Sequence, residues 1–356
     1  EKVSRIFQGL NIMDAGEKYL DHMGKYPVIM ISLKSMKQPS YELAFEMLKK
    51  ALKGEFQRHW QLVSDRGRLT AADQKRYLRL RNLEGTEADY ADALKFLSEC
   101  LCRCTGRKTV ILIDEYDVPL ENAYFSGFYD RMTDTIRSLF ESALKTNESL
   151  EFAVVTGCLR ISRESIFTGL NNLKIMSVTS QACGEYFGFT PEEVQEMARY
   201  YGNAEVYNPW SAINYVDSCR LNKNSLPKPY WSNTSSNNIV RTLVEKADFS
   251  VKQEIEDLIE GKTIIKPIHE DITYEDMDST QDNLWNFLFF TGYLKKIREH
   301  QEEETIYIEM AIPNREVRYI YKNTVLRWFE KKVEQKELSP LYESILSGDT
   351  EKMEKI

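Results

Sequence analysis

The chain has 356 residues, 42% of them hydrophobic, and sets 47 Lys and Arg against 55 Asp and Glu for a net charge of −8. That length and apolar content can bury a substantial core in about two domains, and interspersed charge of acidic balance excludes a global basic field for nucleic acid. No apolar run approaches the roughly 20 residues that span a bilayer, no signal-like segment opens the chain, and six scattered cysteines read as reduced thiols, so a cytoplasmic protein is expected.

In chain order, Gly9 to Lys18 (GLNIMDAGEK) reads as helix and loop, and Tyr26 to Leu33 (YPVIMISL) as a strand. Thr86 followed by Asp89 has the spacing of a capping box, and Tyr90, Leu94, Leu97 and Leu101 then repeat at helical spacing up to Gly106. Within that helix only Cys100 and Cys104 reach one face, and with no fourth ligand near, a structural zinc is not expected. The unbroken run Val110 to Ile113 suits a parallel strand covered on both faces. Glu151 to Gly157 and Lys174 to Val178 are shorter runs of the same kind. Between them Met132, Ile136, Leu139, Phe140 and Ala143 share one helical face. Strands alternating with helices predict a parallel α/β sheet.

After about residue 200 the texture changes to short helices and loops rich in Asn, Ser and Pro. Helices are predicted at YNPWSAINYVDSC, SSNNIVRTLVEKA and SVKQEIEDLIEGK, the last ending at Gly261. An apolar helix (NLWNFLFFTGYL), a strand (KKIRE), an acidic turn, a strand (TIYIEMAI) and an amphipathic helix (NREVRYIYKNTVLRWFEKKV) follow in the order of a winged-helix unit. The predicted organisation is an α/β core over 1–200, a helical lid with the winged-helix-like unit over 203–335, and a helical tail over 336–356.

Two carboxylates stand where a hydrophobic strand has no structural use for them. Asp114 and Glu115 end the Val110 strand, at the carboxyl edge where parallel α/β sheets bind ligands. A hydrophobic strand ending in Asp-Glu has the form of a Walker B segment, in which the Asp holds Mg²⁺ through water and the Glu activates the attacking water. The other reading is a strand that leaves the core at an acidic turn. The next strand ends in Thr156 and Gly157 with Arg160 and Arg163 beyond, either a sensor hydroxyl and two phosphate-facing cations or solvated loop residues. No G-x-x-x-x-G-K-[ST] segment occurs, so the phosphate cradle that would complete the site is not in this sequence. The four histidines, His22, His59, His269 and His300, form no metal or nucleophile constellation.

The segments GLNIMDAGEKYLDHMGKYPVIMISLKS, KTVILIDEYDVPLENAYFSGFY, VTGCLRISRESIFTGLNNL, EYFGFTPEEV, VYNPWSAINYV, PYWSNTSSN and LWNFLFFTGYL, in that order, resemble the bacterial predicted AAA-ATPase family over nearly the whole chain. Members of that family commonly carry a PD-(D/E)xK nuclease-like domain after the ATPase part. The resemblance implies a P-loop-type sheet whose first strand and Walker A segment, of the form R-P-R-R-F-G-K-S, lie upstream of Glu1. It also implies ATP and Mg²⁺ as cofactors, with Asp114 as the magnesium residue, Glu115 as the water-activating residue, Thr156 as the sensor, and Arg160 and Arg163 as phosphate-facing residues. Pro209 falls where related regulatory ATPases set a lid proline against the adenine; the reading with the greater weight is a helix-start Pro before a core Trp210. An insert bearing W-Y-D-G-Y-x-F-G, usual between ARYYG and NAEVYNPW, is absent, and Gly202 runs directly into Asn203. Two functions are expected from this: a nucleotide-driven regulatory ATPase that controls an effector domain in cis, or an inactive ATPase-fold module that binds nucleic acid or protein through the winged helix.

Overall fold

The computed structural model describes residues 4–158, 165–167, 173–176, 209–221, 226, 228–230, 240, 249–269, 280–324 and 347. The chain divides into two compact units, 1–175 with 271–276, and 176–270 with 277–356. The boundary expected at 200–203 lies outside the described residues, as does the predicted tail apart from Ser347.

In the first unit three strands, β1 (Val28–Ser32), β2 (Thr109–Asp114) and β3 (Leu150–Val155), form a parallel sheet in the order β1-β2-β3. After the short helix α1 (Glu17–Leu20), the β1–β2 connection carries α2 (Tyr41–Arg58), α3 (Trp60–Arg66), α4 (Ala71–Arg81), α5 (Glu87–Ala91) and α6 (Ala93–Thr105). The β2–β3 connection carries α7 (Val118–Ser126) and α8 (Tyr129–Phe140), which runs on through a wide turn at Glu141–Lys145. The predicted capping box forms as written: Asp89 N–H donates to Thr86 Oγ1 at 3.2 Å and Thr86 N–H to Asp89 Oδ2 at 3.0 Å. The helix it opens breaks at Asp92, so the apolar repeat is shared between α5 and α6; α6 ends where Gly106 takes the left-handed conformation, φ 74°. Leu94, Leu97 and Leu101 are fully buried there, as are Met132, Ile136, Leu139, Phe140 and Ala143 along α8 and its wide turn. Cys100 and Cys104 are buried core thiols, and burial pushes the Cys100 thiol up to about 12.

Helices cover one face of this sheet. Ile29 and Ile31 of β1 and Ile111 and Ile113 of β2 are buried under α2 and α6. The opposite face, built from the alternate residues Met30, Leu112, Phe152 and Val154, is largely exposed. The expectation that the Val110 strand is covered on both faces therefore holds for β2 at Val110 and only in part at Leu112, which is half-buried. The strand predicted at Lys174 to Val178 does not form over Lys174, Ile175 and Met176; Ser177 and Val178 lie outside the described residues.

The second unit holds helices α9 (Pro209–Leu221), α10 (Phe249–Glu260) and α11 (Gln281–Phe290), and an antiparallel sheet of β4 (Ile264–Pro267), β6 (Thr305–Ala311) and β5 (Lys295–Glu302) in that order. A further helix runs over 315–324. β4, unmarked by any alternation in the sequence, is held by a buried amide: Asn286 Nδ2 donates to Pro267 O at 2.9 Å, and its Oδ1 accepts from His269 N–H at 2.9 Å. Leu284 through Phe290 are all buried, as an apolar helix without a polar face requires. No helix among the described residues is long and apolar enough to cross a membrane.

Candidate functional site

The parallel ladder continues past the ends of the strands and sets the candidate residues side by side. Leu33 N–H donates to Asp114 O at 2.9 Å, Thr156 N–H to Ile113 O at 2.8 Å, and Tyr116 N–H to Thr156 O at 3.1 Å. Asp114 and Thr156 point to the same, open face, and Thr156 Oγ1 donates to Asp114 Oδ1 at 2.6 Å. Sequence alone placed these two at the ends of separate strands; register makes them a bonded pair.

Glu115 sits at φ 54°, in the left-handed region that side-chain-bearing residues seldom adopt. Such backbone costs of order 1–3 kcal/mol and persists only where its surroundings impose it. Its Oε1 lies 3.6 Å from Lys34 Nζ, on the segment that follows β1. Its Oε2 is buried with no hydrogen-bond partner among the described residues. The carboxylate is thus held by its backbone and one nearby cation.

Lys34, Asp117 and Cys158 belong to this edge and were not singled out from the sequence, and Gly157, named there only as the end of a strand, belongs with them. Asp117, 2% exposed, begins α7 without capping it; its Oδ2 instead accepts from Cys158 N–H at 2.9 Å. That bond ties the segment after β3 to the segment after β2. A Cβ on Gly157 would lie 2.6 Å from Asp117 Oδ1 and 2.7 Å from the Tyr116 ring, so only glycine fits the approach. The sequence signal was there in part: an Asp one residue before Val-Pro at a helix start, and a Gly directly after a strand. Burial, and then the charges of Asp117, Glu115, Glu121 and Asp114, push the Cys158 thiol up to about 11, although the residue's outer surface is exposed. Burial also raises the Glu121 carboxyl, Asp117 adding to the shift and Lys37 opposing it.

Among the described residues no group of three or more His, Cys, Asp or Glu could enclose a metal ion. Asp114 and Thr156 supply one carboxylate and one hydroxyl, a hard oxygen set that suits Mg²⁺ bound through water and phosphate oxygens and does not suit an all-protein cage. Arg160 and Arg163 lie outside the described residues. Pro209 is the exposed first residue of α9, in the other unit.

The comparisons with known proteins reach part of the chain. The family model described as predicted AAA-ATPase matches residues 1–167. A protein of Azotobacter chroococcum mcd 1, described as an uncharacterized protein in the vnfD 5' region, is 27% identical over 164 residues, covering 41% of this chain and 31% of that protein. The chain thus spans about a third of the length of this curated relative. No solved structure matches. Residues 1–167, which hold the parallel sheet and the Asp114 edge, are accordingly matched to the predicted AAA-ATPases as an AAA-ATPase-like domain.

Proposed function

We propose that the chain is the nucleotide-responsive part of a regulatory AAA-type ATPase, with ATP and Mg²⁺ at the Asp114 edge and the second unit as a helical lid and winged-helix-like domain. The observation that carries this reading is the Thr156–Asp114 hydrogen bond of 2.6 Å beside the left-handed Glu115, at the carboxyl edge of a parallel sheet. Asp114 would hold the magnesium through water. The ion, when bound, supplies positive charge against the phosphate oxygens. Glu115 takes the proton of the attacking water, Thr156 reports the terminal phosphate, and Arg160 and Arg163 offset its charge. Pro209 is assigned to the adenine side of the lid. The expected boundaries, a core over 1–200, a lid and winged-helix-like unit over 203–335 and a tail over 336–356 leading to a nuclease-like effector in cis, belong to the same reading.

Glu115→Gln in the full-length protein tests it. Turnover of ATP is expected to fall at least about tenfold with little change in ATP affinity, because a water-activating group acts mainly in the transition state. Asp114→Asn is expected to weaken magnesium-dependent nucleotide binding instead. Unchanged turnover by Glu115→Gln would remove Glu115 from this role. A second reading, an inactive module that binds nucleic acid through β5, has one observation in its favour, the exposed cations Lys295, Lys296 and Arg298. Two of them already have carboxylate neighbours, Glu299 at 2.9 Å from Lys296 and Glu309 at 3.9 Å from Arg298.

A further inference from the structure

Past the end of β2 the ladder to β3 leaves the regular parallel pattern. Ile113 sits opposite Val155 and accepts from Thr156 N–H at 2.8 Å, as that pattern requires. In a regular continuation the residue two places on, Glu115, would give its N–H to Thr156 O and its C=O to Cys158 N–H. Both of those bonds are made by other groups. Tyr116 N–H donates to Thr156 O at 3.1 Å, and Cys158 N–H donates to the Asp117 carboxylate at 2.9 Å.

Glu115 is therefore one residue too many for the register, pushed out of the ladder as in a β-bulge. Its N–H has no hydrogen-bond partner among the described residues, and its C=O accepts instead from Val118 N–H at 3.3 Å. The left-handed φ of 54° is how the backbone absorbs the extra residue. The side chain is re-aimed as a result. Regular alternation would turn Glu115 to the face of Ile111 and Ile113, which helices cover. As the extra residue it meets Lys34 Nζ at 3.6 Å, at the carboxyl edge.

What excludes the regular register is the Asp117 side chain. A carboxylate accepts from an N–H more strongly than a neutral carbonyl does, so Asp117 Oδ2 takes the donor that Glu115 C=O would need. The residue forgoes a more usual bond to do so. It stands at the start of α7, where an Asp side chain ordinarily caps the first turn, and it makes no such cap. At 2% exposure it meets little competition from water. Gly157 completes the fit, because a Cβ there would lie 2.6 Å from Asp117 Oδ1 and hold the two segments apart.

We propose that Asp117 is a positioning residue: it locks the register after β2 and so holds Glu115 out of the sheet, with its carboxylate at the edge where Asp114 and Thr156 meet. The lock itself is independent of any ligand. Its effect on ATP turnover, exerted through Glu115, rests on the nucleotide reading.

Nuclear magnetic resonance of the full-length protein without nucleotide tests the lock. In the parent, a coupling through the hydrogen bond is expected between the Cys158 amide nitrogen and the Asp117 carboxylate carbon; a coupling to the Glu115 carbonyl carbon instead would overturn the proposal. Asp117→Ala is expected to speed hydrogen exchange at Tyr116 N–H at least about tenfold, and Asp117→Asn, whose Oδ1 can still accept from Cys158 N–H, to keep it slow. Unchanged protection of Tyr116 in Asp117→Ala would also overturn it. The coupling needs no substitution, so a folding defect in the Ala variant leaves it decisive. With ATP, Asp117→Ala is expected to lower kcat at least about tenfold with KM little changed, and to add no loss to that of Glu115→Gln, since it acts through that carboxylate. Unchanged kcat, or losses that add, would remove the positioning role. A parent without ATP turnover would remove the nucleotide reading, while coupling and exchange still judge the lock.

Discussion

Asp114, Glu115 and Thr156 were visible in the sequence as chemistry out of place, polar groups at the ends of apolar strands. What the sequence could not show was the strain and the contacts that hold them: the left-handed backbone of Glu115, the Lys34 ammonium near it, and the Asp117 carboxylate bonded to Cys158 N–H. These depend on register between strands far apart in the chain. Gly157 gives the residue-scale test of how tightly the edge is built. Gly157→Ala would drive a methyl against Asp117 Oδ1 and the Tyr116 ring, a clash that typically costs about 1–3 kcal/mol. Urea unfolding is expected to show a loss of that order, with the midpoint moved and the slope retained. A variant as stable as the parent would mean that the 114–117 and 156–158 segments part easily.

At the scale of elements, apolar runs and periodicity located α6, α8, α10, α11, β1, β2, β3, β5 and β6; in α6, α8, β1 and β6 each buries a face whose spacing is set by its own geometry, whereas every residue of β5 is exposed. They did not locate α2, α3 or α4, and they missed β4, a four-residue strand held by Asn286. A clamp on the outer edge of β1 was equally invisible: Glu55 Oε2 accepts from Met30 N–H at 2.9 Å, and Arg58 and His59 donate to Val28 O at 2.6 and 3.0 Å, yet all three read as the polar side of a helix. It has a pH signature. Burial, and then the Arg58 charge, hold His59 below its ordinary 6.5, so the folded chain binds fewer protons there than the unfolded one. The stability this residue allows is complete above about pH 6.5 and is lost as pH falls through the lowered folded value. His59→Gln, whose amide can still donate to Val28 O, is expected to flatten the fall in melting temperature between about pH 6.5 and 5. An unchanged slope would assign that fall to other groups.

For the molecule as a whole, the second unit decides between an internal regulator and a nucleic-acid reader. A reader needs an exposed basic helix for the major groove and cations free to meet phosphates. α11 is buried from Leu284 to Phe290 and has no Lys or Arg, while the β5–β6 turn carries Glu302, Glu303 and Glu304. Titration of the whole chain with duplex DNA near 0.1 M salt is expected to show no micromolar binding. Micromolar binding that weakens steeply with added salt would favour the binding-module reading.

The sequence by itself determined the class of this protein. Alternating apolar runs and helical stripes specify a parallel α/β unit, because burial period follows from backbone geometry alone, and the proposed nucleotide chemistry starts from the Asp-Glu strand end and the family resemblance. Only the tertiary structure decided which groups meet. Hydrogen-bond register brought Thr156 to Asp114, packing against Tyr116 and Asp117 required a glycine at 157, and side chains of α2 closed one edge of the sheet while one face stayed open. Those outcomes depend on distances between residues 25 to 42 positions apart in the chain, for which a linear pattern carries no period.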